Sequence, residues 1–252
     1  MTSLFTPYTL KDVILRNRIV ASPMCQYQAR DGLLNEWHQT HYETLAKGGV
    51  GLVIVEATAV SPRGRITLGD AGLWCDSQIS GFASVAHSIK AVGAVAGIQL
   101  GHAGRKAGCT APWQGGAPLP ESDPQAWQPI APSALPFMPG APHLPGEMTR
   151  EDIQRTQHDF ARAAVRALEA GFEWLELHFA HGFLGQSFLS RHANVRTDRY
   201  GGDLENRARF LIETVAAVKR VWPAHLPLAV RLGVAEFGQE VEQSLSESIQ
   251  VL

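Results

Sequence analysis

Apolar positions along the chain fall into two alternating rhythms. Short runs rich in β-branched residues are separated by longer stretches with helical spacing. That alternation predicts repeated βα units around a parallel sheet. The first strand is read at Arg18-Ile19-Val20-Ala21, ended by Ser22-Pro23. A helix is expected from Glu36 to Lys47, followed by Gly48-Gly49. The second strand, Val50 to Ala57, is almost wholly apolar, as a strand covered on both faces should be. A helix near Ser80 to Val92 leads to a third strand, Ala94 to Leu100. Thr149-Arg150-Glu151-Asp152 has the form of a capping box. The helix it opens carries Ile153, Phe160, Ala164 and Leu168 on one side and stops at Gly171, a residue suited to a helix end. The fourth strand is Phe172 to His178. A fourth helix runs from Leu204 to Trp222 with Pro223 just beyond, and a fifth strand from Leu228 to Gly233. The last polar stretch, Glu240 to Leu252, reads as the start of a fifth helix.

Residues 101–148 break the rhythm and hold ten of the fifteen prolines. A loop this long without elements of its own is uncommon in a compact domain. It follows the third strand, at the end of the sheet where α/β proteins place their sites, so it is read as an active-site loop. A solvent-exposed insertion is the plainer reading. Five βα units do not close an eight-fold barrel, which takes roughly 30 residues per unit. The expected fold is therefore α/β, a (β/α)8 barrel carried as about five units in one domain, 1–252.

Composition narrows the function. The 252 residues are 45% hydrophobic, enough for one sizeable core. A net charge of −2 shows no basic surplus of the kind a nucleic-acid binder carries. No apolar run reaches the roughly 18 residues of a membrane span. The N-terminus lacks the basic start and apolar core of a signal peptide, so the cytoplasm is the expected location. Three cysteines, Cys25, Cys75 and Cys109, without CxxC spacing, argue against a disulfide framework or a structural zinc site.

Several polar groups fall at or just beyond the expected strand ends: Cys25 and Tyr27, Gln99, His178, and Arg231. Side chains alternate along a strand, so His178 shares a face with Glu176 and Trp174, and Arg231 with Ala229 and Gly233. Small neighbours beside a long cation leave room for a ligand. Each such group alone reads as a satisfied polar residue in a barrel core, but five at one end of a sheet favour a site. His178 and His181 could meet a metal ion, yet His38 and His41 repeat the spacing and neither pair has an evident third ligand. Two neutral imidazole N–H groups, or one imidazolium, could instead bind a carbonyl oxygen that gains charge during reaction. No helix N-terminus or base is evident to activate Cys25 as a nucleophile. Gly101-His102-Ala103-Gly104-Arg105-Lys106 lacks the spacing of a phosphate loop, and no GxGxxG follows a strand.

The runs Leu15-Arg16-Asn17-Arg18-Ile19-Val20, Ser22-Pro23-Met24-Cys25-Gln26-Tyr27, Gly51-Leu52-Val53-Ile54-Val55-Glu56-Ala57, Gly97-Ile98-Gln99-Leu100-Gly101-His102-Ala103-Gly104-Arg105-Lys106, Glu176-Leu177-His178-Phe179-Ala180-His181-Gly182 and Arg196-Thr197-Asp198-Arg199-Tyr200-Gly201-Gly202 occur in this order. Together they resemble the Old Yellow Enzyme family, in its bacterial xenobiotic reductase-like branch, from Leu4 to about Ile249. The resemblance implies an FMN-dependent, cytoplasmic ene-reductase on a TIM barrel. NADPH, or less often NADH, would give hydride to the flavin. An α,β-unsaturated carbonyl or a quinone would then receive it in a two-step ping-pong cycle. It implies that Ser22, Pro23, Met24, Cys25, Ala57, Gln99 and Arg231 contact FMN, that His178 and His181 grip the substrate carbonyl, and that Tyr27 assists. Cys25 would tune the flavin rather than attack anything. No metal, nucleic acid or membrane is implied, and homo-oligomers are common in such a family.

Two departures stand out. Where the family has a proton-donating tyrosine, two residues after the second histidine, this chain has Phe183. The family's phosphate-binding glycines and arginine also lie in strands beyond those found here. A truncated barrel unable to hold FMN tightly, and a metal-dependent hydrolase using His178 and His181, are the competing readings.

Overall fold

Residues 3–138, 140–141, 144–236 and 241–251 are described by the computed structural model. An antiparallel hairpin, β1 (Tyr8–Leu10) and β2 (Val13–Leu15), precedes the short strand β3 (Val20–Ala21). There follow α1 (Glu36–Lys47), β4 (Leu52–Ala59), α2 (Ile79–Ala91) and β5 (Val95–Gly101). A two-residue ladder, β6 (Ile130–Ala131) with β7 (Gly146–Glu147), leads to α3 (Arg150–Glu169) and β8 (Trp174–Phe179). The short α4 (Leu184–Leu189), then α5 (Leu204–Lys219), β9 (Leu228–Leu232) and α6 (Val241–Val251) complete the order. The principal sheet runs β3-β4-β5-β8-β9, every pair parallel and its strands side by side in chain order. That is the βα rhythm of a barrel wall, laid down strand by strand.

All five expected strands form. The second begins two residues late because Gly49, at φ +98°, prolongs the turn, and Arg16 Nε binds the Val50 carbonyl at 3.0 Å. The capping box of α3 is present: Thr149 Oγ1 accepts from Asp152 N at 3.1 Å, and Asp152 Oδ2 accepts from Thr149 N at 3.0 Å. The helical faces bury aromatic rings against the sheet. Phe160 meets Phe179 edge-on at 5.9 Å, Phe82 meets Phe172 at 6.3 Å, and Phe188 stacks on Phe210 at 4.4 Å. The hairpin, α4 and the β6–β7 ladder were not legible from spacing, being too short to show a period.

The described parts of the long loop, 101–138, 140–141 and 144–148, are tied down by distant backbone contacts. Cys109 N donates to Ile66 O at 2.7 Å, and Arg196 Nη1 donates to Pro132 O and Met148 O at 2.8 and 2.7 Å. Prolines deprive the segment of repeating hydrogen bonds, so it borrows single ones from elsewhere.

One irregularity decides which side chains face the site. β4 and β5 run in step through Val55↔Ile98, and the next partners are Ala57↔Gln99. Glu56 is the extra residue of a β-bulge. Val55 and Ala57 would otherwise share a face. The bulge turns Ala57 onto the face of Gln99, and such bulges commonly re-aim side chains beside active sites.

Candidate active site

Cross-strand register assembles the site. Ala57, Gln99, Glu176 and Ala229 form one row across β4, β5, β8 and β9, and His178 pairs with Arg231 two residues further on. With a period of two, Gln99, Glu176, His178 and Arg231 project from one face. Its small residues, Ala57, Gly97, Gly101 and Ala229, keep that face low. Gln99 Nε2 donates to Glu176 Oε1 at 2.6 Å, which leaves its second N–H and its carbonyl oxygen without a partner among the described residues.

His178 is 3% exposed, whereas His181 is exposed at the mouth of the loop that follows β8. Their rings lie 4.8 Å apart, edge to face, and the Phe183 ring is 4.9 Å from His178. His178 Nδ1 accepts the Ala180 N–H at 3.1 Å, so the ring proton sits on Nε2, free to donate. Burial, then His181 and Arg231, push the His178 pKa down to about 3, so the ring is neutral. Burial and the same arginine also lower His181. Between the two protonation states left open by the sequence, the environment selects neutral imidazole. His181 itself holds φ +58°, a conformation costly for a non-glycine residue.

The segment after β3 carries Ser22 and Met24, both exposed, with Pro23 and Cys25 partly covered. Burial raises the Cys25 thiol well above its usual pKa, and Asp70 and Glu56 push in the same direction. The thiol is therefore protonated and a poor nucleophile. The Tyr27 pKa is raised by burial, Cys25 and Asp70. Tyr27 sits at φ +54° and meets Trp113 edge-on at 5.8 Å.

Beneath that segment is a group that spacing arguments passed over. Glu56, fully buried, accepts from Gln26 N with Oε2 and from Tyr42 Oη with Oε1, both at 2.9 Å. It thus pins the backbone next to the strained Tyr27. His38 Nε2 faces Oε1 at 3.6 Å, too far for a hydrogen bond, and has no other partner among the described residues. Burial raises Glu56 to about 7 and lowers His38 to about 4, so near neutrality the pair holds few charges. Asp70, raised by burial to about 6, accepts from Ile66 N, Thr67 N and Thr67 Oγ1. His102 is buried with Nδ1 accepting from Gly104 N and, among the described residues, no partner for Nε2. A lone glutamate inside Leu52–Ala59 was the available signal for Glu56. Asp70 and His102 left no such signal. His38 and His41 belong to this buried layer and to α1, away from the His178–His181 pair.

Fold and geometry thus define a βα-repeat protein whose parallel strands gather Gln99, His178 and Arg231 towards their carboxyl ends, where β/α-barrel enzymes place their sites. Residues 3–251 match the model of the NADH:flavin oxidoreductase / NADH oxidase family, and the chain belongs to that family. It is 50% identical over 236 residues to an NADPH dehydrogenase of Bacillus velezensis, covering 93% of this chain and 64% of that protein. An NADPH dehydrogenase of Bacillus subtilis is 47% identical over 236 residues, again 93% and 64%. The chain therefore spans about 64% of the length of these curated relatives. Among solved structures, morphinone reductase superposes with a TM-score of 0.81 at 31% identity, over 96% of this chain and 66% of that one. The old yellow enzyme homologue from Zymomonas mobilis gives 0.84 at 28%, over 99% and 70%. The resemblance read from the sequence holds. Among the described residues, no helix is long and apolar enough to cross a membrane.

Proposed function

We propose that this chain forms the flavin- and substrate-binding half of an FMN-dependent oxidoreductase that takes hydride from NADPH or NADH and delivers it to an α,β-unsaturated carbonyl or a quinone. The observation that carries the reading is the neutral His178–His181 pair, 4.8 Å apart, sharing a site with Gln99 and Arg231. The site fits a flat heteroaromatic ring. Small residues line its face, and Gln99 keeps one free donor and one free acceptor for an amide-like edge. Bound FMN would supply the two-electron chemistry.

The chain's own residues account for the rest. Arg231 offers fixed positive charge beside the ring site, where negative charge would build up. Ser22, Pro23, Met24, Cys25 and Ala57 supply the bordering wall. The Cys25 thiol, held protonated, offers a weak S–H rather than a thiolate. His178 Nε2–H and a His181 N–H would hold the substrate carbonyl oxygen. Neutral donors suit this task, because they strengthen as the oxygen becomes enolate-like without binding the ground state as an ion would. Phe183 has no proton to give, so the α-carbon must be protonated from elsewhere. Residues 101–148 would cover the site as a lid.

The test is flavin retention followed by acceptor kinetics. The purified chain, titrated with FMN, should quench flavin fluorescence at a stoichiometry of one. His178→Ala should leave that titration unchanged but slow enone reduction by about 10²–10³-fold, the usual effect of losing one oxyanion donor. A chain that never retains flavin supports the competing reading of a non-catalytic piece. A variant that keeps full enone activity removes His178 from the mechanism.

A further inference from the structure

Arginine and lysine side chains that are partly buried in this protein generally find a carboxylate. Arg166 pairs with Asp76 at 2.7 Å, Arg196 with Asp198 at 2.8 Å, and Arg207 with Glu247. Arg105 and Lys106, adjacent on the turn after β5, do not. Among the described residues neither forms an ion pair. Arg105 Nη1 donates to the Pro136 carbonyl at 3.2 Å, while its Nε is buried with no hydrogen-bond partner among the described residues. Lys106 Nζ donates to the His181 carbonyl at 2.6 Å and lies over the Phe137 ring at 4.3 Å. Carbonyl dipoles and ring faces hold a cation in place but do not neutralise it. Burial lowers the pKa of both groups, and each lysine–arginine neighbour adds repulsion on the lysine side.

Both cations line an open pocket shared with Phe137, His181, His192 and Glu236. Glu236 is the acidic member of that group. It attracts Arg105 from beyond ion-pair distance. A buried orphan donor, and two cations that line one cavity with no ion pair among the described residues, are costly unless something completes them. Arginine presents a fork matched to planar or tetrahedral oxyanions, and lysine adds a mobile point charge.

We propose that Arg105 and Lys106 form an anion subsite, next to the His178–His181 pair, for a phosphate or carboxylate group on a molecule entering that pocket. The phosphate would come from a nucleotide such as the hydride donor, the carboxylate from an unsaturated acid. The subsite rests on the cations and the pocket alone, and its test uses the chain without added flavin. A failed flavin titration would therefore leave it standing.

Isothermal titration with inorganic pyrophosphate and with fumarate separates the two sources. The wild-type chain should bind at least one saturably, more weakly as salt rises. The tighter of the two names the source. The double variant Arg105→Gln/Lys106→Gln should lose at least about tenfold in affinity, as expected when charged donors are withdrawn. Lys106→Arg, which keeps the charge, should retain binding. Arg155→Gln, on the distant surface of α3, should have no effect. Circular dichroism confirms that the variants fold, and Lys106→Met replaces the double variant should it not. No saturable binding of either anion, or binding that survives loss of both charges, overturns the proposal.

Discussion

Replacing Glu56 with glutamine tests the buried network directly. Glu56 is fully buried, and its pKa rises from 4.5 to about 7. A carboxyl whose folded pKa is raised favours the folded state below the unfolded value and loses that contribution as pH climbs through the folded value. The loss should begin above 4.5 and be complete a little above 7. A shift of this size corresponds to about 3 kcal/mol. Glutamine cannot ionise, but it has one acceptor oxygen where the carboxylate has two, and Gln26 N and Tyr42 Oη both need one. Near pH 5, where both side chains are neutral, the amide nitrogen still cannot accept, and that mismatch costs about 1–3 kcal/mol. The stability gap between wild type and Glu56→Gln should therefore favour the wild type near pH 5 and shrink or reverse near pH 8, a change of about 3 kcal/mol. Urea denaturation followed by tryptophan fluorescence at several pH values measures it. Asp70 titrates with the same sign but is present in both proteins, so it cancels in the difference. The buried histidines act oppositely: His38, His102 and His178, lowered to about 4, 3 and 3, withdraw stability as pH falls below 6.5. A gap that stays constant from about pH 5 to pH 8 would show that Glu56 does not titrate in this range, and the reasoning would be wrong.

Phe183→Tyr should place a phenol beside the histidine pair and speed enone reduction by about 10²-fold or more, the low end for a positioned general acid. Quinone reduction, which needs no carbon protonation, should barely change, and equal enone rates in parent and variant would refute the argument. Cys25 should react slowly with iodoacetamide near neutral pH, since its thiol pKa is pushed up by burial and two nearby carboxyls. Mass spectrometry of peptides alkylated over a pH series checks this, and modification of Cys25 ahead of the partly exposed Cys75 would contradict it.

Local periodicity determined much of this protein. Strand and helix alternation, the Thr149 capping box and the shared face of His178 and Glu176 follow from spacings of two and of about 3.6 residues, and these hold within any isolated segment. The family motifs were legible for the same reason, being contiguous. What the tertiary structure decided involves partners far apart in the chain. Ala57 faces the site because a bulge at Glu56 shifts the β4–β5 register, and register is a property of two strands together. Pro132 and Met148, at either end of the loop's last stretch, are held by Arg196, about fifty residues further along the sequence. The neutrality of His178, the raised Glu56 and the unpaired Arg105–Lys106 charges are sums over burial and neighbours from several elements. Such sums exist only once the chain has folded and excluded water, because the cost of charge is set by the surroundings and not by the residue that carries it.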